Sequence, residues 1–261
     1  MLSLTESILN EFREEVPATR RVLERVPADK LAWKPHVKSR SLGELAMHVA
    51  NIPGMAERII KADEFSPGAT PPAPVKSVEE IRATFEKNAR TAEELLGALT
   101  ESILNEFREE VPATRRVLER IPADKLAWKP HAKSRSLGEL AMHVANIPGM
   151  AERIIKADEF SPGATPPVPV KSVEEIRATF EKNARTAEEL LGTLTEETAM
   201  GSWRLVFKGK EIFRKPRVAA LRTNLMNHIY HHRGQLSVYL RLLDVPVPVV
   251  YGPTADENPF A

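Results

Sequence analysis

Ser41-Leu42-Gly43-Glu44-Leu45-Ala46-Met47-His48 recurs without a change as Ser136 to His143. It belongs to a larger repeat, because residues 4–98 recur as 99–193 at an offset of 95 residues. The two copies differ only at four positions, Val26/Ile121, Val37/Ala132, Ala73/Val168 and Ala98/Thr193. Solenoid repeats are shorter and far more diverged, so this pattern indicates a recent duplication. Residues 194–261 occur once and follow copy two directly.

Apolar periodicity predicts three helices in each copy and a fourth helix in the single-copy region. In copy one, Leu45, His48 and Ile52 alternate by three and four and therefore share one stripe of the second helix. Ser41/Glu44 and Ser77/Glu80 are capping-box patterns, and Pro53-Gly54 should kink the second helix. The four helices are expected at about residues 4–25, 41–62, 77–97 and 216–243.

The connections between these helices are also predicted. Trp203 to Phe207 and Glu211 to Phe213 are expected to form a short hairpin in a long crossover. At the junction of the copies, Ala98 stands where Ser3 could cap the first helix, and no proline interrupts the following turns. We therefore expect one long helix from Ser77 to about Arg120. The predicted domains are residues 1–98, an incomplete three-helix unit, and residues 99–261, a complete four-helix bundle.

Composition excludes several classes of function. Lys plus Arg is 37 and Asp plus Glu is 36, so the formal net charge of +1 argues against a broad nucleic-acid or anionic-membrane surface. No apolar run approaches the roughly 20 residues that span a bilayer. The chain has no cysteine, which excludes disulfides and thiolate catalysis and fits a cytoplasmic setting. The first residues lack the basic start and apolar core of a signal peptide.

Three histidines are the candidates for chemistry. His228 and His232 lie one turn apart on the apolar stripe of the fourth helix, which suits two imidazoles on one metal ion. His143, or its equivalent His48 in copy one, lies on the stripe of a second helix. A lone histidine on such a stripe is usually a hydrogen-bonded core residue, and His231 could replace His232 at spacing three. Three imidazoles on facing apolar stripes, however, are best satisfied together by a divalent metal.

Two motifs resemble those of the DinB/YfiT superfamily. Asn227 to Leu236 resembles its last-helix signature, and Ser41 to Leu45 leading to His48 resembles its second-helix signature. The tail from Tyr251 to Glu257 is also similar. The resemblance covers residues 99–261 from end to end and residues 1–98 as a partial copy. It implies an all-α, DinB-like four-helix bundle plus a duplicated three-helix unit.

The resemblance also implies a metal and a reaction class. Members of the superfamily bind a divalent metal, often zinc or nickel, which would be held here by His143 (or His48), His228 and His232. Characterised relatives include thiol-dependent S-transferases and a mycothiol-dependent isomerase, so a metal-dependent transferase or hydrolase-like enzyme with a small-molecule or thiol substrate is expected. The alternative is a metal-binding or structural protein without turnover. Catalytic residues remain unassigned, although Tyr230, Asn227 and Gln235 are near the expected site.

The duplication predicts one metal per chain and a homodimer. The fourth helix occurs once and is joined directly to copy two, which favours His143 over His48 as the ligand. Copy one then has no fourth helix, and its stripes Leu45–Ile59 and Val78–Leu96 should stay partly uncovered. Such a patch usually marks an interface. A twofold dimer of copy-one units is expected, with a domain-swapped dimer that exchanges the fourth helix as the alternative.

Overall fold

The structure, a computed structural model, describes residues 4–55, 75–96, 103–163 and 170–260. The chain divides into two compact units, Met1–Thr100 (unit one) and Glu101–Ala261 (unit two). The described residues are mostly helical, with one small sheet in unit two. The expected all-α, DinB-like architecture is therefore confirmed. None of the helices in these ranges has the length and apolarity that a bilayer-spanning segment needs.

The described residues of unit one include three α-helices around an inner apolar core. They are α1 (Leu4–Glu24), α2 (Leu42–Asn51) and α3 (Val78–Leu96), with a 3-10 turn at Ala28–Lys30 after α1. α3 packs against both α1 and α2. The buried apolar side chains of this core are Leu23, Ala46, Ala50, Ile81, Phe85 and Ala89.

Unit two repeats this arrangement and completes it with the single-copy region. Its helices are α4 (Ile103–Glu119), α5 (Leu137–Asn146), α6 (Met150–Ile155), α7 (Val173–Gly192), α8 (Glu196–Met200), α9 (Arg217–Leu221) and α10 (His228–Leu242). A 3-10 turn at Ile147–Gly149 joins α5 to α6, which is the copy-two form of the kink expected at Pro53-Gly54. A π-helical turn at Arg222–Asn227 joins α9 to α10, a feature that apolar periodicity does not reveal.

The predicted hairpin is confirmed and gains a third strand. β2 (Ser202–Phe207) and β3 (Lys210–Pro216) pair antiparallel, with an irregularity between Leu205 and Val206. Lys208 and Gly209 both have positive φ in the two-residue turn, which suits the twist of a tight hairpin. β1 (Glu159–Phe160) pairs parallel to β2 through Arg204 and Leu205. Trp203 of β2 is fully buried, and its indole N–H donates to the Arg153 carbonyl at 3.3 Å.

The local contacts of the two copies match closely. Ser41/Glu44 and Ser136/Glu139 both form complete capping boxes. A Cβ on Gly43 would lie 3.1 Å from the Leu31 carbonyl oxygen, and a Cβ on Gly138 would lie 3.1 Å from the Leu126 carbonyl oxygen. A larger residue would therefore force the helix start away from the preceding loop in either copy. The described parts of the two copies thus have the same local structure.

One expected cap differs in detail. The amide of Glu80 donates to the Ser77 hydroxyl at 3.1 Å, as a capping box requires. The Glu80 carboxylate, however, accepts from the amide of Lys76 at 2.9 Å rather than from that of Ser77. Lys171 and Glu175 repeat this arrangement at the start of α7. The reciprocal bond is therefore shifted by one residue before the helix.

The copies differ in the face that lies opposite the fourth helix. Leu140 and Ile147 are each 2% exposed, whereas Leu45 and Ile52 are 49% and 50% exposed. Val117 is fully buried, and its equivalent Val22 is 66% exposed. In unit two, α10 contacts α4, α5 and the Ile147–Gly149 turn. Burial of this face therefore depends on the fourth helix rather than on the local sequence.

Two sequence predictions about copy one are corrected by this difference. The sequence predicts that the Val78–Leu96 stripe stays partly uncovered, but its members Val78, Ile81 and Phe85 are buried. α3 turns these side chains into the inner core of unit one, where α1 and α2 cover them. His48 was placed on a buried stripe, yet it is exposed together with Leu45 and Ile52. The predicted long helix between the copies depends on residues 97–102, which lie outside the described residues.

Candidate metal centre

The structure brings together three imidazoles in unit two. His143 comes from α5, and His228 and His232 come from the first two turns of α10. One candidate ligand atom from each ring can be chosen so that all three lie within 4.8 Å of one another. The Nε2 atoms of His143 and His228 are 3.0 Å apart. These are the three residues that the sequence singled out.

The fold fixes this meeting point through the packing of α5 on α10. His143 lies between the buried Leu140 and Ile147, so its side chain faces the same way as the stripe that α10 covers. On α10, a spacing of four residues puts His228 and His232 one above the other. Their ring centroids are 4.8 Å apart, and the His143 ring lies 4.4 Å from that of His232.

Electrostatics keep these rings neutral near pH 7. Burial lowers the pKa of His143 to about 3, and the neighbouring His232 and His228 add to the effect. Burial also lowers the pKa of His232 to about 4. For His228, burial lowers the pKa, while a hydrogen bond to the Asn224 backbone opposes the shift. A neutral imidazole offers the lone pair that a metal ion requires.

Gln235 orients one of the three rings. Its Oε1 lies 2.7 Å from Nδ1 of His232, and its Nε2 lies 3.2 Å from Nε2 of His231. The amide oxygen accepts a hydrogen bond from the Nδ1–H of His232, which leaves Nε2 of that ring as the nitrogen with a free lone pair facing the cluster. His231 is exposed and lies beside the cluster rather than in it. Within the described structure, the expected alternative of His231 in place of His232 is therefore not the arrangement adopted.

The donor set fits a divalent metal. Nitrogen ligands lie at about 2.0–2.1 Å from zinc, so two of them on a tetrahedral ion are about 3.4 Å apart. The 3.0 Å between His143 and His228 and the 4.8 Å limit of the whole cluster bracket that spacing. Three protein ligands would leave a coordination position open, which is typical of catalytic rather than structural sites.

A first polar network lies next to the cluster. The Tyr230 hydroxyl donates to Glu106 of α4, and the Arg222 guanidinium pairs with the same carboxylate. Burial and the Glu106 carboxylate raise the pKa of Tyr230 above its ordinary value. Tyr230 therefore remains a neutral phenol whose proton is already directed at Glu106. This makes it a positioning residue between α10 and α4 rather than a free acid at the metal centre.

A second network begins at the residue after His232. The Arg233 side chain is buried and lies 2.6 Å from a Glu110 carboxylate oxygen. The same guanidinium donates to the Thr114 hydroxyl at 3.0 Å and contacts the Tyr251 hydroxyl. Tyr251 in turn donates to Glu110 at 2.9 Å. This buried pair with its hydrogen bonds ties α10 and the C-terminal tail to α4.

An open cleft adjoins the cluster on the side of α5. It has a volume of about 360 Å³ and includes His143 in its wall. Charged side chains in the wall are Arg135, Glu139 and Glu175. Both glutamates already accept hydrogen bonds from backbone amides at helix starts. The positive charge of Arg135 is close enough to lower the pKa of His143 as well.

Sequence reasoning found the imidazoles but missed the residues that support them. The sequence predicts that Gln235 lies near the site, but it does not predict the hydrogen bonds of Gln235 to His231 and His232. The pairing of Glu106 and Glu110 with residues of α10 was not predicted, although acidic residues on an apolar helix stripe are a detectable signal. His48, the alternative ligand, lies on the exposed face of unit one, while the cluster forms within unit two from His143, His228 and His232.

The three tryptophans, Trp33, Trp128 and Trp203, differ in burial. Trp203 is in the core, and the Trp128 ring meets Tyr239 of α10 edge-on at 5.6 Å between centroids. Trp33, the equivalent of Trp128, is 55% exposed. The tryptophans thus repeat the difference seen along the second helices.

Comparisons with known proteins relate both parts of the chain to one family. The DinB family model matches residues 99–258, and a DinB superfamily model matches residues 11–112. The chain is 25% identical over 154 residues to a protein of Bacillus subtilis (strain 168) called "Uncharacterized protein YrdA". That alignment covers 59% of this chain and 89% of the relative. No solved structure gives a significant match.

Proposed function

Because this chain belongs to the DinB family, we propose that it binds one divalent metal ion, zinc or nickel, through His143, His228 and His232 and uses it in thiol-dependent group transfer. The observation that carries the proposal is the convergence of three neutral imidazoles from α5 and α10 within 4.8 Å. Three half-buried imidazoles in mutual contact are best satisfied together by a shared metal ion.

The chemistry follows from the donor set. A bound ion at this site would act as a Lewis acid and lower the pKa of a water or thiol at its open position. The chain has no cysteine, so the thiol has to come from a small molecule. Gln235 would hold His232 in the tautomer that presents Nε2, and the Arg233–Glu110 pair would hold α10 in place. The thiol itself is inferred from the family resemblance.

Two further aspects complete the proposal. The absence of cysteine supports a cytoplasmic setting, where thiols stay reduced. The exposed side chains Leu45 and Ile52 of copy one support a homodimer, with exchange of the fourth helix as the alternative arrangement. The domain division at residues 98 and 99 is proposed to separate this association surface from the metal centre.

The test combines metal content with turnover. The metal-free chain is loaded in turn with zinc, nickel and cobalt, and bound metal is measured by elemental analysis. Transfer of a low-molecular-weight thiol to an alkylating acceptor is then followed. We expect one metal per chain and a metal-dependent rate that His228→Ala removes. One metal per chain with no turnover for any thiol would favour a metal-binding protein without catalysis, and absence of binding would refute the site.

Gln235→Ala provides a finer test of the same site. Loss of a hydrogen bond that orients a metal-bound imidazole typically lowers metal affinity 10- to 100-fold. We expect a decrease of about that size by competition with a chelator. His231→Ala is the matched control, because it removes the other partner of Gln235 while leaving the three proposed ligands in place. An equal loss of metal affinity in both variants would show that Gln235 does not act specifically through its hydrogen bond to His232.

A further inference from the structure

One surface of unit one has no counterpart among the exposed surfaces of unit two. We define the open face as Val22, Trp33, Leu45, His48 and Ile52, all of which are exposed. The equivalent residues of unit two all lie against its core or in its histidine cluster, and they are Val117, Trp128, Leu140, His143 and Ile147. The five residues of each set are identical in type. The open face is thus an apolar surface whose buried form is visible in the same molecule.

We propose that the open face pairs with the open face of a second copy of this chain, forming a twofold dimer. The identity of the partner follows from comparing the number of apolar faces with the number of C-terminal segments that can cover them. Each chain has two such faces but one C-terminal segment, residues 194–261, to cover them. Two chains therefore have four faces and two segments. Exchange of segments between chains still leaves two faces open, whereas pairing the open faces with each other covers all four.

The chemistry of the open face suits this pairing. Its members are three aliphatic side chains and one indole around a single imidazole, with no formally charged residue among them. A twofold interface uses the same surface of both chains, so the apolar members of one open face would pack against those of the other. Arg40, whose charge lowers the pKa of His48, would lie close to this interface. The inner core of unit one does not change, because Leu23, Ile81 and Phe85 are already buried beneath the face. Pairing therefore needs no rearrangement of unit one.

This inference is independent of the metal chemistry and is tested separately from it. The mass of the full chain is measured by light scattering at micromolar concentration. We expect twice the 29.1 kDa of one chain. Leu45→Glu combined with Ile52→Glu should give a monomer. Val238→Glu is the matched control, because Val238 on α10 is 49% exposed but lies outside the open face, and it should remain a dimer.

Engineered cysteines separate face pairing from exchange of the fourth helix. The chain has no native cysteine, so Val22→Cys, Leu45→Cys and Ile52→Cys each introduce a single thiol. Pairing of the open faces predicts that at least one of them forms a disulfide-linked dimer on oxidation, while Val238→Cys does not. Circular dichroism of each variant checks that it is folded.

Three outcomes would overturn the proposal. The first is a monomeric native chain, which would mean that the face is covered within its own chain or stays in solvent. The second is a dimer that survives the double glutamate variant. The third is a dimer that gives no cross-link from any of the three cysteines, and loss of its metal on replacement of His48 would then identify helix exchange. Loss of metal binding in His228→Ala without a change in mass would leave the dimer intact and separate the two proposals.

Discussion

The helix Leu42–Asn51 of unit one and the helix Leu137–Asn146 of unit two have the same sequence and the same capping box, yet they differ in burial. Leu140 lies beneath α10, and Leu45 lies in solvent. Local sequence determines that both segments are helices and which side of each is apolar. Whether that side is buried depends on whether a fourth helix packs against it. Amphipathic pattern and burial are therefore separable properties of this chain.

The largest expected effect is a difference in metal affinity between replacement of His143 and replacement of His48, the equivalent histidines of the two copies. His143→Ala removes one of three proposed ligands and should weaken metal binding by more than about 100-fold, because even the loss of a supporting residue costs 10- to 100-fold. His48→Ala changes an exposed residue of unit one and should leave affinity and stoichiometry unchanged. Calorimetric titration of the metal-free chain measures both variants. If His48→Ala abolished binding and His143→Ala did not, the fourth helix would be docked on copy one.

An effect of intermediate size is expected on the free energy of unfolding when Glu110 is compared with its equivalent Glu15. Glu110→Ala leaves the buried Arg233 without its carboxylate, which typically costs about 3–5 kcal/mol of unfolding free energy. Glu15, its equivalent in copy one, is exposed, and Glu15→Ala should have a small effect. Urea denaturation followed by circular dichroism measures both. Equal destabilisation would mean that copy one also holds a buried partner for this carboxylate.

The smallest effect should be the same in both copies. Arg20 Nε lies 2.5 Å from Glu86, and Arg115 Nε lies 2.6 Å from Glu181, each pair linking the first and third helices of its copy. Both pairs are about 40% exposed, and such ion pairs contribute about 0.2–1 kcal/mol. Arg20→Ala and Arg115→Ala should therefore lower stability slightly and to a similar extent. A clear difference in the same denaturation assay would show that the three-helix motif is not equivalent in the two units.

Sequence reasoning predicted the helices, the hairpin and the three histidines that meet, because periodicity and spacing encode them directly. The prediction that the Val78–Leu96 stripe stays partly uncovered was wrong, because an apolar pattern does not tell which neighbour buries Val78, Ile81 and Phe85. The pattern of apolar residues also gives no indication of the π-helical turn before His228. The bridge from Gln235 to two imidazoles depends on side-chain rotamers, which spacing alone does not determine. Secondary structure can be predicted from the local sequence, whereas the contacts of a side chain can be identified only from the folded structure.

The single occurrence of residues 194–261 sets the valency of the molecule. A further insertion of the 95-residue repeat ahead of copy two would leave the junction between copy two and α8 unchanged. Such an insertion would add one more open face and no further pair of fourth-helix histidines. Longer versions of this chain would therefore gain open faces, while the number of proposed metal sites stayed at one. Growth by this repeat would change the number of surfaces proposed for association and leave the number of proposed metal centres unchanged.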